Sequence, residues 1–572
     1  MFINFYKKNM ELSNFVCFVL IFINIGVIIS WKCGTDQLKL KPKPINLKKP
    51  NITRVSISPA TDSEGYSPII IGYDFSTFKK PNSMSQSTFE NIKSLLKDTR
   101  VEFSKFLKVR HKSFDLSGWK DTIMDVCELT ALGRDYPNFL IDNDVIIFPM
   151  FEQMQSTTIA AAAPCLIQSS TDKPLGGILL INNQINFEKT NFKLYMKRIL
   201  LHEITHILAF HPYFFATKGM NYTNARTNSH FIVSQTVIRK AREHFNCYSL
   251  TSLKLENQGG EGSAGSHWES RYMLADYMVS TDFEDTAISD MTLALFEDTG
   301  FYKVNYFSGG LFKFGKNKGC AFFSEECMKN GKATFEEFCD VRGEPKCTSS
   351  RSIKSSCFIV QYQSDIEADY RYFSDRRTGG FKSADYCPVA HEYADANDYF
   401  PKHCNYGNSN NLGKYEQMGD NSLCFISSLV PTSDTNTGVN KKAVCYEVEC
   451  NSFDKQLIIK VGSQRIICPQ KGGEYAPSGF KGSIECPKYD DICNTNDDTV
   501  CNEMFDCLTK EAEKNNYYYK VDYYDYSGSY FSDDDDDDDD DDDGYYIPTK
   551  GSGDKFTTNF ILLVFFLLLN IY

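Results

Sequence analysis

The pentapeptide His202-Glu203-Ile204-Thr205-His206 constrains this chain more than any other stretch. Residues four apart share one face of an α-helix. On a helix, both imidazoles therefore reach one metal ion, and zinc is the ion that this spacing suits. Glu203 lies next to the first ligand, where a carboxylate can take a proton from a water on the ion's open side. The surrounding sequence favours the helix. Residues 192–210 carry no Gly or Pro, and Tyr195, Ile199, His202, His206 and Ala209 recur at spacings of three and four. Such a stripe is expected of a buried helix. Pro212 ends it.

Two imidazoles do not complete a zinc site, so the chain must bring a third ligand from elsewhere. His211 stands close by but precedes Pro212, which pushes it out of helical geometry. The glycine-rich run Gly259-Gly260-Glu261-Gly262-Ser263-Ala264-Gly265-Ser266 leads directly to His267. Glycines allow the tight turns needed to aim a ligand. Glu269 is the nearest carboxylate alternative. His202 and His206, with Glu203 as general base, are the expected core of a centre for one Zn²⁺ per chain, and the third ligand stays open among these candidates.

The rest of the chain indicates where such a centre would work. Twenty cysteines, dense from Cys320 onward and never spaced Cys-x-x-Cys, indicate disulfides rather than a zinc ribbon. Lys7 and Lys8 precede an apolar run from Phe15 to Ile29, the pattern of a secretory signal. Near the other end, Gly551-Ser552-Gly553, a short polar spacer and an apolar run from Phe560 to Leu569 read as a glycolipid-anchor signal or a short hydrophobic tail. Asn51-Ile52-Thr53 and Asn221-Tyr222-Thr223 are glycosylation acceptors. Net charge is −13, but Asp533–Asp543 carry most of it and no basic patch argues for nucleic acid. That Asp run sits in a Tyr-rich acidic stretch expected to act as an extended spacer.

Periodicity predicts strands at Pro68–Phe75, Val145–Phe148 and Ile178–Ile181. Helices are expected after a Ser87/Glu90 capping box and over Phe231–Phe245. Ala160–Cys165 reads as small and flexible. Strands followed by the site helix make an α+β fold with one main sheet.

His267-Trp268-Glu269-Ser270-Arg271, followed by Asp276-Tyr277-Met278, resembles the leishmanolysin family of surface metalloproteases. Further matches are Ala241–Cys247, Leu255-Glu256-Asn257 and Leu293–Tyr302. The resemblance implies a metzincin-type catalytic domain with a long insertion between the second and third zinc ligands, then a disulfide-rich, loop-rich C-terminal domain. It implies that His267 is the third zinc ligand beside His202 and His206, and that Met278 is the Met-turn residue. Ile178, Leu179 and Leu180 would form the strand edge that pairs with substrate. Cys33 would be a propeptide switch that occupies the open metal position, with a structural disulfide as its alternative role. The family carries Gly where this chain has Ala209; a turn needing positive φ would there cost about 1 kcal/mol.

The expected organisation is a signal peptide over 1–30, a propeptide over 31–60 and a catalytic domain over 61–308. A cysteine-rich domain over 309–510, an acidic stalk over 511–550 and an anchor signal or tail over 551–572 follow. The expected protein is a monomeric, secreted, membrane-anchored zinc endopeptidase acting on proteins. An adhesin or other binding protein built on a protease fold is the alternative.

Overall fold

The computed structural model describes residues 33–45, 61–110, 119–129, 143–391, 403–405, 413–493 and 504–509, apart from 259–263, 282–284 and a few other interior positions. The signal, stalk and anchor expectations, and the Asn51 acceptor, lie outside the described residues.

The centre of the fold is a five-stranded mixed sheet. Its strands are β1 (Lys43–Ile45), β2 (Ile71–Tyr73), β3 (Val145–Glu152), β4 (Ala160–Gln168) and β5 (Pro174–Asn182). They lie in the order β1-β4-β5-β3-β2. β2, β3 and β5 run parallel, and β4 runs antiparallel to β5. Side chains alternate across a strand, and both faces here are covered. Ile147, Phe151, Ala162 and Leu179 belong to the core on the face of the site helix. Ile146, Phe148, Met150, Ile178 and Leu180 belong to a second core on the opposite face. Double burial explains why β3 and β5 read as unbroken apolar runs.

Helix α1 (Gln86–Phe106) and the site helix α3 (Phe192–Leu208) pack together, with α3 against β4 and β5. On the far face, α2 (Lys120–Val126) is followed by Cys127, which is disulfide-bonded to Cys165 of β4. Ser85, not Ser87, caps α1: its hydroxyl accepts from the Thr88 backbone N–H. The Asp74 carboxylate likewise caps a short 3₁₀ turn at Phe75–Thr77, where the expected strand stops.

The stretch Ala160–Cys165 is a buried strand, not a flexible segment. Its small side chains suit close packing beneath α3. Gly177 shows how close that packing is. A Cβ there would stand 2.5 Å from Ile207 Cγ2 of α3 and 2.9 Å from the Ala163 carbonyl. Gly177→Ala should therefore destabilise the fold by about 1–3 kcal/mol. A thermal midpoint equal to that of the parent chain would refute this packing.

Between the helix and His267, strand Asn221–Asn224 pairs with Ser229–Ile232, which pairs with Leu253–Lys254. The expected helix over Phe231–Phe245 forms only over Gln235–Phe245. Further along, Phe322, Phe338 and Phe381 join the main core, as do Met504, Phe505 and Leu508. A six-stranded sheet between Ser422 and Cys486 encloses its own core around Phe425, Tyr446 and Ile459. Eight disulfides join the described cysteines other than Cys33, including Cys247–Cys320 and Cys327–Cys387. No described helix is long and apolar enough to cross a membrane.

Candidate metal centre and active site

Helix α3 presents His202 and His206 one turn apart, and a distant segment delivers His267 to the same point. His202 Nε2 lies 3.1 Å from His206 Nε2 and 3.2 Å from His267 Nε2. The thiol of Cys33 completes the group, with Sγ 3.4 Å from His206 Nε2. One donor atom from each of the four residues falls within 4.8 Å of all the others.

The ring orientations are set from behind. His202 Nδ1–H donates to the Tyr277 carbonyl at 2.6 Å, and His206 Nδ1–H donates to the Phe210 carbonyl at 2.7 Å. His267 Nδ1 shares a hydrogen bond with Ser266 Oγ at 3.0 Å. A hydrogen bond at Nδ1 leaves the Nε2 lone pair facing the cluster. Burial pushes His202 down to about 4, against the opposing pull of the Tyr277 carbonyl. Burial, then the neighbouring imidazoles, hold His206 well below its ordinary range. Both rings are thus neutral near pH 7, the state a metal requires.

The donor set fits zinc. Nitrogens at about 2.0–2.1 Å and a thiolate at about 2.3 Å from a tetrahedral ion stand roughly 3.3–3.5 Å apart. The measured separations of 3.1, 3.2 and 3.4 Å are close to those edges. Three imidazoles and one thiol, all backed by hydrogen bonds or burial, match the ion's preference for N and S donors.

Glu203 is almost fully buried beside this cluster, and the Cys33 thiol donates to its Oε2 at 3.5 Å. The cleft in front is lined by Cys33, Ala160, His202, Glu203, Tyr277 and Val279, among others. Met278 is fully buried, and its carbonyl accepts from the Trp268 backbone N–H at 3.0 Å. It therefore braces the segment that follows His267.

Three alternatives from the sequence resolve on geometry. His211 caps the next short helix, Pro212–Thr217, by accepting from the Tyr213 backbone N–H, and it lies outside the cluster. Glu269 turns away from the histidines toward Lys254. Cys33 takes part in no disulfide and instead meets the histidines. Ala209 takes no positive φ and donates its N–H to the Thr205 carbonyl. The strain that would follow from replacing Gly is therefore absent at this residue.

One expectation is overturned. The strand holding Ile178, Leu179 and Leu180 is not a sheet edge. Leu179 pairs with Pro149 on one side and Ala162 on the other. Its hydrogen-bonding positions are already used, and Ile178 and Leu180 point into the far core. The strand that borders the cleft is β4, whose outer side is taken by described residues of the segment 33–45. There the Gly34 N–H donates to the Ala160 carbonyl, and β1 pairs with Leu166–Gln168.

Sequence reasoning also missed Tyr277. Its carbonyl orients His202, and its phenol hydrogen-bonds Thr205 Oγ1 at 2.8 Å. A backbone carbonyl leaves no trace in residue identity, so no signal could have found the first contact.

A buried three-histidine, one-thiol cluster able to hold a metal ion, on a sheet-backed helix with a carboxylate beside it, defines the site of this mixed α/β protein. Within that class, the chain belongs to the leishmanolysin family: the family model described as Leishmanolysin matches residues 92–499. It is 28% identical over 376 residues to a leishmanolysin homolog of Crithidia fasciculata, covering 62% of this chain and 56% of that protein. It is 26% identical over 373 residues to leishmanolysin of Leishmania tropica, covering 62% and 55%. A leishmanolysin-like peptidase of Drosophila melanogaster is 25% identical over 468 residues, covering 65% and 68%. The match thus spans little more than half the length of the first two relatives.

Proposed function

We propose that this chain is a zinc endopeptidase of the metzincin type that cleaves protein substrates at the cell surface. The convergence of three Nε2 atoms beside a buried carboxylate carries the reading. His202, His206 and His267 hold one zinc, which when bound supplies Lewis-acid activation of a carbonyl and a water. Glu203 takes the proton from the attacking water and passes it to the leaving amide nitrogen. The hydrogen bonds from Nδ1 to the Tyr277 and Phe210 carbonyls keep two ligand rings aimed. Met278 acts as the Met-turn residue beneath them. An extended substrate lies along the β4 edge near Ala160, the mode of recognition in which a peptide adds a strand. Strands and helix between His206 and His267 form the insertion of this fold class.

Cys33 acts as the switch of a propeptide. Its Sγ sits where a substrate carbonyl or water must approach, near both His206 Nε2 and Glu203 Oε2. A tethered ligand competes at an effective concentration of order millimolar. Cys33→Ser in the uncleaved chain should raise peptide hydrolysis by about tenfold or more. Equal rates in parent and variant would refute the switch.

The disulfides support export to an oxidising compartment. The proposed organisation is that given from sequence, with a membrane anchor or tail at the C-terminal end, no nucleic-acid partner and a monomeric state. A casein digest with the propeptide removed tests the enzymatic reading. Cleavage that a chelator stops and added zinc restores is expected; intact casein throughout would favour a binding protein instead.

A further inference from the structure

Taking His202, His206 and His267 as the ligands, we propose that Lys254 is a positioning residue of the metal centre. It locks the segment carrying His267 to the C-terminal region through Asp385. The Lys254 ammonium lies 3.0 Å from Glu269 Oε2 and 2.8 Å from Asp385 Oδ2. Glu269 is fully buried and Asp385 nearly so.

Lys254 also belongs to the backbone ladder that supports the ligand. Glu269 N–H donates to the Lys254 carbonyl at 3.2 Å, and Glu256 N–H donates to the His267 carbonyl at 2.9 Å. Trp268 N–H, between them, donates to the Met278 carbonyl. His267 thus sits two residues from a carboxylate tied to Lys254, on a segment whose backbone is bonded to the same residue.

The charges make the tie consequential. Glu256, two residues after Lys254, is a further buried carboxylate and receives the Ser280 hydroxyl at 3.3 Å. The Lys254 ammonium, with the Arg271 guanidinium as a second cation near Glu269 and Asp385, therefore serves a region holding three buried carboxylates. Removing it leaves like charges buried together, a costly arrangement relieved by moving a segment. The Glu269 segment is the one that also bears His267. His202 and His206, on α3, have no part in this ladder.

Asp385 comes from beyond the expected catalytic region. It holds a left-handed backbone (φ 52°) two residues before Cys387, which is bonded to Cys327. The C-terminal region so supports the centre, while none of its described residues belongs to the donor cluster.

The test measures how tightly the full chain holds zinc in competition with a chelator. Lys254→Met should weaken the hold about 10–100-fold, the scale of losing a group that orients a ligand. Asp385→Asn should weaken it less. The charge-swapped pair Lys254→Glu with Glu269→Lys should hold zinc about tenfold better than the weaker of its two single variants. Zinc held by Lys254→Met as by the parent chain would overturn the assignment, as would a swap that recovers nothing. Loss of folded circular dichroism in every variant would also overturn it, by making the cluster a folding element. A parent chain that holds no zinc would instead sink the ligand reading itself.

Discussion

On the proposed mechanism, Glu203→Gln should leave zinc in place and remove peptidase activity. Glutamine has the same shape and fits the same buried site, but it cannot take a proton from water. Glu203 is not one of the four clustered donors, so the ion loses no ligand. General-base catalysis contributes about 10²–10⁴-fold to such reactions, and kcat/KM on a peptide substrate should fall on that scale. Zinc content, measured alongside, should stay near one per chain. A variant with undiminished hydrolysis would remove Glu203 from the chemistry.

His267→Ala should empty the centre. The remaining protein ligands of the processed enzyme would be the two imidazoles of α3, below the three that a catalytic zinc site requires. The loss of affinity should exceed the roughly 100-fold that outer-shell changes produce, and hydrolysis should fall to background. The variant should remain folded, because α3 is seated by Ile204, Ile207 and Leu208 in the main core. His211→Ala is the contrasting variant. It should cost only about 0.5–2 kcal/mol of stability through loss of a helix cap, with zinc retained. Full zinc occupancy in His267→Ala would transfer the third-ligand role elsewhere; zinc loss in His211→Ala would point to the wrong histidine.

Much of the centre was legible because its chemistry is tied to spacing. The His202/His206 pair needs only helical periodicity, and α3 forms over Phe192–Leu208 much as the apolar stripe predicts. His267 required the glycine run and the resemblance, since nothing local links it to His206. The strand edge was misjudged because an apolar run such as Ile178–Ile181 shows burial but not which neighbours do the burying. Ala160–Cys165 read as flexible for the opposite reason: small side chains there serve contact with a helix, and their strand character comes from pairing. The capping residue of α1 was displaced from Ser87 to Ser85, where the hydroxyl reaches the Thr88 N–H. Several serines and threonines in one short stretch make that choice a matter of backbone geometry.

By itself, the amino-acid sequence determined the residue types of the candidate metal centre, the helix that spaces two of them, and the cysteine-rich character of the chain. These follow from local periodicity and composition, which act within a few residues. The tertiary structure alone decided that Cys33 and His267 meet the same pair of imidazoles. It also decided that β4 rather than β5 borders the cleft, and that Lys254 joins Glu269 to Asp385. Those contacts join residues far apart along the chain, so they exist only once the packing of sheet, helix and disulfides has brought the backbone segments together.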